Sequence, residues 1–182
     1  MSRIAIVGTG YVGLTVGACF AHLGHQVVCG DIDESKVEGL NAGRLPILEE
    51  GLADLVREGV DAERLSFVVG AVAAVEGCEV AFLCLPTPQH PDGSADISFL
   101  EQAVREVAVV LPSGAIVVNK STVPVGSTQM VFNALGRDDV AVVSNPEFLR
   151  EGSAVKDFLE PDRVVVGADD PFAADVVAAL YI

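Results

Sequence analysis

From Ile4 to Gly30 the chain carries no Asp, Glu, Lys or Arg, a run of 27 residues without a formal charge. A stretch of this length and character is either a membrane span or a succession of elements buried on several sides. Six glycines fall inside it, and those at 8, 10 and 13 would break the first half of a spanning helix. His22, His25 and Gln26 place polar groups toward its far end. It does not fit a secretory signal either, because no basic start leads into a small-residue cleavage site. The run therefore reads as a strand over Arg3–Val7, a glycine turn, a helix over Tyr11–Leu23 and a strand over Gln26–Gly30. Val12, Val16, Phe20 and Leu23 share one face of that helix, and Gly24 is placed to end it.

The same alternation continues to the end of the chain. Helices are expected over Glu34–Asn41 and Glu49–Glu58, on either side of a Gly43–Pro46 turn. A strand at Leu65–Val69 and a short helix at Ala71–Val75 follow. Glu79–Leu85 is almost wholly apolar, the pattern of a strand covered on both faces. Pro86–Gly93 is rich in Pro and Gly and reads as a loop. Ile97–Val110 is a long helix with Asp96 as its N-cap. Ala115–Asn119 is a strand, Pro124 suits the first turn of a helix running to Leu135, and Val140–Ser144 is a strand. Asn145–Ser153 is irregular, Ala154–Leu159 helical, Arg163–Val166 a strand and Pro171–Leu180 a final helix. Strands alternating with helices imply a mostly parallel sheet with helices on both faces, the doubly wound α/β architecture of the Rossmann type. The 182 residues fit one domain, 1–182, and a chain of about 150 residues already buries roughly 68–70% of its unfolded surface.

Charge and cysteines narrow the function classes. Eleven Lys and Arg against 26 Asp and Glu leave a net charge of −15, with no basic run. Such a chain repels phosphate backbones and anionic membrane surfaces, which argues against nucleic-acid and membrane partners. A small phosphate ligand is still allowed, because backbone amides at a helix start hold it without net positive charge. Cys19, Cys29, Cys78 and Cys84 match no zinc or CxxC spacing and read as buried thiols in a reducing, cytoplasmic setting. His22 and His25 near a helix end read as surface or capping residues. No metal site is expected.

Gly8-Thr9-Gly10-Tyr11-Val12-Gly13 matches GxGxxG, directly follows a strand and opens a helix. In that context the first glycine allows the tight turn, the second lets a pyrophosphate approach the backbone, and the third lets the helix pack on the sheet. Asp31 lies 18 residues beyond Gly13, at the end of the second strand, where a carboxylate accepts from ribose hydroxyls and repels a 2′-phosphate. NAD is thereby favoured over NADP. Two further polar clusters fall just past strands, where open parallel sheets bind ligands. They are Lys120–Gly126 and Asn145–Gly152. On spacing alone, the pair Glu147 and Glu151 is as consistent with a solvated helix face as with a site.

Taken together, GTGYVG at 8–13, DIDESK at 31–36, LPILEEGL at 45–52, LCLPT at 83–87, KSTVPV at 120–125, NPEFLRE at 145–151 and PDRVVVG at 161–167 resemble the N-terminal part of the UDP-glucose 6-dehydrogenase family, within the UDP-glucose/GDP-mannose dehydrogenases. The pieces occur in the family's order and spread over nearly the whole chain. The resemblance implies oxidation of the C6 alcohol of a nucleotide sugar, UDP-glucose first, to a carboxylate with two NAD in succession. It implies that Gly8, Gly10, Tyr11, Val12 and Gly13 hold the pyrophosphate, that Asp31 binds the adenosine ribose with Lys36 nearby as a second cofactor contact, and that Thr87 lines the cofactor groove. Ser121 and Thr122 would lie by the nicotinamide, with Thr122 orienting the water or alcohol at the reacting carbon. Glu147, Phe148, Leu149, Arg150 and Glu151 would meet the sugar, Glu147 as the base that activates water and Glu151 on the nicotinamide side.

The resemblance also calls for features these residues do not contain. They are a cysteine nucleophile in an FGGxCxPKD-like segment, a central helix that carries a lysine and an asparagine and builds a homo-oligomer, and a C-terminal nucleotide-sugar domain. The expectation is an NAD-binding domain that does not turn over substrate alone. GDP-mannose and UDP-N-acetyl sugar dehydrogenases are the alternatives, and a stand-alone NAD-sensing module is the alternative from another class. The KSTVPVG and PDRVVVG versions lean toward UDP-glucose.

Overall fold

The computed structural model describes residues 1–121 and 126–182. Among these, the elements are β1 (Arg3–Val7), α1 (Tyr11–His22), β2 (Gln26–Asp31), α2 (Glu34–Asn41), α3 (Leu52–Asp61), β3 (Leu65–Val69), α4 (Ala71–Val75), β4 (Val80–Leu83), α5 (Ser98–Ala108), β5 (Ile116–Asn119), α6 (Ser127–Leu135), β6 (Ala141–Ser144), α7 (Ala154–Leu159), β7 (Gly167–Ala168) and α8 (Pro171–Ala179). The strands form one sheet in the order β3-β2-β1-β4-β5-β6-β7. Every neighbouring pair is parallel except β6 with the two-residue β7. This is the doubly wound α/β order, and its direction of winding reverses between β1 and β4. The crevice beyond the carboxyl ends of those two strands is where such a sheet accepts a ligand.

Period-two alternation sorts the central strands onto two cores. Ile4 and Ile6 of β1, Val80 and Phe82 of β4, and Ile116 and Val118 of β5 face a core with α1, α3, α7 and α8. Ala5 and Val7, Ala81 and Leu83, and Val117 face a core with α4, α5 and α6. α1 is buried along Gly13–Ala21, because α3 and α7 pack over it from outside. That explains the absence of charge along its length. No described helix is long and apolar enough to cross a membrane.

Several elements differ from the sequence reading. The helix expected at Glu49–Glu58 begins at Leu52, because Gly51 takes φ 78° and Glu49 is bonded elsewhere. The strand expected at Arg163–Val166 is displaced. The Val165 carbonyl accepts from Asn145 Nδ2 at 2.8 Å, and ladder pairing with β6 falls on Gly167–Ala168 instead. Asp96 accepts from the Ser98 amide at 2.9 Å, so it stabilises the start of α5 from one residue outside the N-cap, which is Ile97. The expected helix start at Pro124 lies outside the described residues, and α6 begins at Ser127 after Gly126 at φ 92°.

The two histidines also part company. His22 pairs with Glu58 at the surface, at 2.9 Å. His25 is not a surface residue: it is 7% exposed. Its Nδ1 accepts from the Ser2 amide at 3.1 Å, and its Nε2 meets the Leu180 carbonyl at 3.0 Å. It thus ties the start of the chain to the end of α8, beside a cluster of Phe20, Phe82, Phe158 and Tyr181.

Candidate functional site

A groove of 610 Å³ opens at the carboxyl ends of β1, β2, β4 and β5, within the roughly 300–1,000 Å³ of cofactor and small-molecule sites. One wall is the glycine turn, with Val7, Gly8, Gly10, Tyr11 and Val12. The end of β2 adds Gly30–Asp33 and Lys36, and the end of β4 adds Cys84–Thr87. Phe99, Gln102, Ala103 and Glu106 of α5 form the opposite wall, and Lys120, Ser121 and Glu147 close the far end.

Each glycine of the turn has a distinct steric reason. Gly8 takes φ +96°, and a Cβ there would sit 2.5 Å from the Cys84 carbonyl oxygen. A Cβ at Gly13 would sit 1.9 Å from the Gly8 carbonyl oxygen, so α1 reaches the turn only without a side chain there. A Cβ at Gly10 would meet nothing within 4 Å. The space before Gly10 is therefore open toward the groove, where a phosphate would need close approach. Gly10 is the N-cap of α1, no side chain caps the first turn, and no acid stands in it. The first amides of α1 are left for a ligand, at the positive end of the helix dipole.

Asp31 is held as an acceptor before any ligand arrives. Its Oδ2 accepts from the Thr9 amide at 2.9 Å, the Thr9 hydroxyl at 2.6 Å and Lys36 Nζ at 2.7 Å. Its Oδ1 accepts from the Asp33 amide at 3.0 Å. Burial pushes its pKa up, but the bonds from Lys36 and Thr9 outweigh burial and bring it down to about 2. The carboxylate is thus charged and fixed, with acceptor capacity left on Oδ1. Thr9 carries no role in the sequence reading. It is wholly buried, and the second position of the glycine motif holds the acid in place.

Ser121 lines the groove and also brackets it. Its hydroxyl accepts from the Leu85 amide at 3.0 Å and lies 2.9 Å from the Leu85 carbonyl, joining the ends of β4 and β5. Thr87 also lines the groove. Thr122 lies outside the described residues. Of the 147–151 segment, Glu147 alone lines the groove, and its Oε2 accepts from the Leu149 amide at 2.8 Å. Phe148 and Leu149 line a separate 40 Å³ hollow with Asn145 and Tyr181. The Arg150 guanidinium is paired with Asp157, with Nη2 at 2.6 Å, and Glu151 is exposed outside the groove. Lys120, which heads the 120–126 cluster without a role of its own in the sequence, is only 4% exposed. Its ammonium donates to Asn145 Oδ1 at 3.2 Å and to Tyr181 Oη at 3.3 Å, and burial lowers its pKa. A lysine directly after an apolar strand was the available signal. Among the described residues, no group of three or more His, Cys, Asp or Glu is arranged to hold a metal ion.

The fold, the glycine turn and the fixed Asp31 define a dinucleotide-binding domain. Residues 2–182 match the family model of the UDP-glucose/GDP-mannose dehydrogenase family, NAD binding domain, and the chain belongs to that family. UDP-glucose 6-dehydrogenase TuaD of Bacillus subtilis is 42% identical over 186 residues, covering 100% of this chain and 40% of its own. A UDP-glucose dehydrogenase structure from the archaeon Pyrobaculum islandicum superposes with a TM-score of 0.93 at 42% identity, over 100% of this chain and 44% of that one. A ternary complex of GDP-mannose dehydrogenase from Pseudomonas aeruginosa gives 0.91 at 32% identity, over 100% and 44%. The chain spans about 40% of the length of the curated relatives it matches.

Proposed function

We propose that this chain is the NAD-binding part of a nucleotide-sugar 6-dehydrogenase acting on UDP-glucose. The observation that carries the reading is the preset Asp31 at one end of a groove whose other end holds Glu147. Bound NAD supplies a hydride acceptor. Gly8, Gly10, Tyr11, Val12 and Gly13 would hold its pyrophosphate against the open amides at the start of α1, Asp31 would take the adenosine ribose, and Lys36 would be a second cofactor contact nearby. Thr87 and Ser121, which line the groove, are cofactor contacts in the same reading, and Glu151, outside the groove, would reach the cofactor only through a shift of its loop. Glu147 draws a proton from water near the sugar's C6, a general-base role, with Thr122 orienting the reacting oxygen. Phe148, Leu149, Arg150 and Glu151 face the sugar.

The family chemistry also needs a covalent nucleophile. None of the four cysteines suits it: all are buried, and burial pushes Cys19 and Cys84 to about 12 and Cys78 to about 11. These 182 residues are therefore expected to bind NAD in the cytoplasm without turning over UDP-glucose. Full turnover and homo-oligomer formation would belong to a longer chain. Likeness to the GDP-mannose enzyme keeps a GDP-mannose substrate as the second reading.

Calorimetric titration with NAD and NADP, beside an NADH-production assay on UDP-glucose, tests both halves. Heat from NAD and none from NADP is expected. No heat from NAD refutes the cofactor reading, and sustained turnover refutes the claim that a further nucleophile is required.

A further inference from the structure

Glu49 has no part in that reading, yet its carboxylate is buried and accepts three hydrogen bonds. It stands on the loop between α2 and α3 and is 7% exposed. Its Oε2 accepts from the Tyr11 hydroxyl at 2.5 Å and from the Gly152 amide at 2.8 Å, and its Oε1 accepts from the Ala154 amide at 2.9 Å. Among the described residues no cation pairs with it, so three neutral donors stabilise a buried carboxylate. The Tyr11 hydroxyl has one proton, which goes to the nearer Glu49, and the Arg150 carbonyl at 3.1 Å is a weaker second contact. Burial and the adjoining carboxylate raise the tyrosine's pKa, so it stays a donor across the physiological range.

The three groups joined here lie far apart in the chain. Tyr11 is the first residue of α1 and lines the groove. Gly152 and Ala154 close the loop that begins at Asn145 and carries Glu147. The near end of that loop is pinned to the sheet, with the Asn145 amide donating to the Asn119 carbonyl at 3.0 Å. Arg150 ties its middle to Asp157 of α7. Glu49 supplies the tie between its far end and the helix that presents the glycine turn. A glutamine could accept well at one oxygen only and would turn an N–H toward the other donors. The site therefore calls for a charged acid.

We propose that Glu49 is a positioning residue that sets the Glu147–Gly152 loop against the glycine turn, so that cofactor binding and the order of this loop are coupled through Tyr11. The proposal rests on the cofactor reading above. Its test compares the chain with Glu49→Gln, Tyr11→Phe, the double variant and Val56→Ala. Val56 is a buried α3 residue away from the groove and controls for general destabilisation. NADH affinity is read by fluorescence titration, and amide hydrogen exchange over 147–154 is read with and without saturating NADH.

NADH should slow exchange at 147–151 in the parent chain. Glu49→Gln should lose at least fivefold of that protection even when saturated. Tyr11→Phe should lose part of it, and the double variant should be no worse than Glu49→Gln, while Val56→Ala keeps it. Retained protection in Glu49→Gln, or equal loss in Val56→Ala, overturns the proposal. Should Glu49→Gln fail to fold, Tyr11→Phe decides it, because it removes a single oxygen. If the parent chain binds no NADH, the cofactor reading fails instead. Ligand-free exchange then decides the clamp: faster exchange at 147–151 in both single variants supports it, and unchanged exchange overturns it.

Discussion

Replacing Asp31 by Asn removes one charge from the best-connected point of the groove. The native carboxylate accepts four bonds, from the Thr9 amide and hydroxyl, Lys36 and the Asp33 amide. An asparagine oxygen retains part of this set, but its amide N–H groups face donors. Two effects follow, and they can be measured separately. The carboxyl pKa falls from 3.8 to about 2 on folding, and at about 1.4 kcal/mol per unit this corresponds to roughly 2 kcal/mol of stability near neutral pH. Because the folded value is the depressed one, that stability is present above pH 4 and is lost as pH falls from about 4 toward 2. Asp31→Asn should therefore lower the denaturant midpoint at pH 7 and flatten the acid limb over that window. For the ligand, a lost hydrogen bond to a charged group costs about 1.5–3 kcal/mol, or roughly 10- to 150-fold in the NAD dissociation constant. Calorimetry at pH 7.5 measures this directly, and the preference for NAD over NADP should shrink with it. A folded variant whose NAD affinity stays within threefold of the parent refutes the ribose assignment.

Other perturbations test the turn and the fold. Gly13→Ala drives a Cβ to 1.9 Å from the Gly8 carbonyl oxygen and should destabilise by about 3 kcal/mol, the upper part of the usual overpacking range. Gly10→Ala meets no neighbour and sits at φ −71°. Its melting temperature should match the parent while NAD affinity falls more than tenfold, and the opposite pattern would mean the groove does not receive a phosphate at Gly10. His25 must be unprotonated at Nδ1 to accept from Ser2, and burial lowers its pKa below 6.5. Because the folded value lies below the unfolded one, acid penalises the native state. Melting temperature should be level above about pH 6.5 and fall below it, and His25→Gln should reduce that slope.

The architecture was legible wherever a short apolar run met a glycine or a proline. β1, α2, β3, α4 and α7 carry the expected bounds, because local pattern and tertiary packing agree there. Two of the misses share a cause: a side chain from a distant segment had claimed the backbone or the carboxylate in question. Asn145 occupies the Val165 carbonyl and moves the edge strand, and Glu49 is bonded to the 152–154 turn instead of starting a helix. The glycines and Asp31 were readable because each serves a spacing rule that one strand–turn–helix unit contains. The bonds made by Thr9, Lys120 and Tyr181 were not, since their partners stand 22 to 61 residues away. The α5 wall escaped for the same reason, since only the folded sheet brings Phe99 and Gln102 opposite the glycine turn.

The four thiols have a use unrelated to catalysis. Cys19, Cys29 and Cys84 belong to the core beneath α1, and Cys78 to the core beneath α4 and α5. All four are buried and none is a ready thiolate. An alkylating reagent therefore has to wait for the protein to open. The rate at which each sulfur is labelled becomes a clock for the layer that encloses it. With three markers on one side of the sheet and one on the other, mass spectrometry of the labelled peptides would report which side comes apart first.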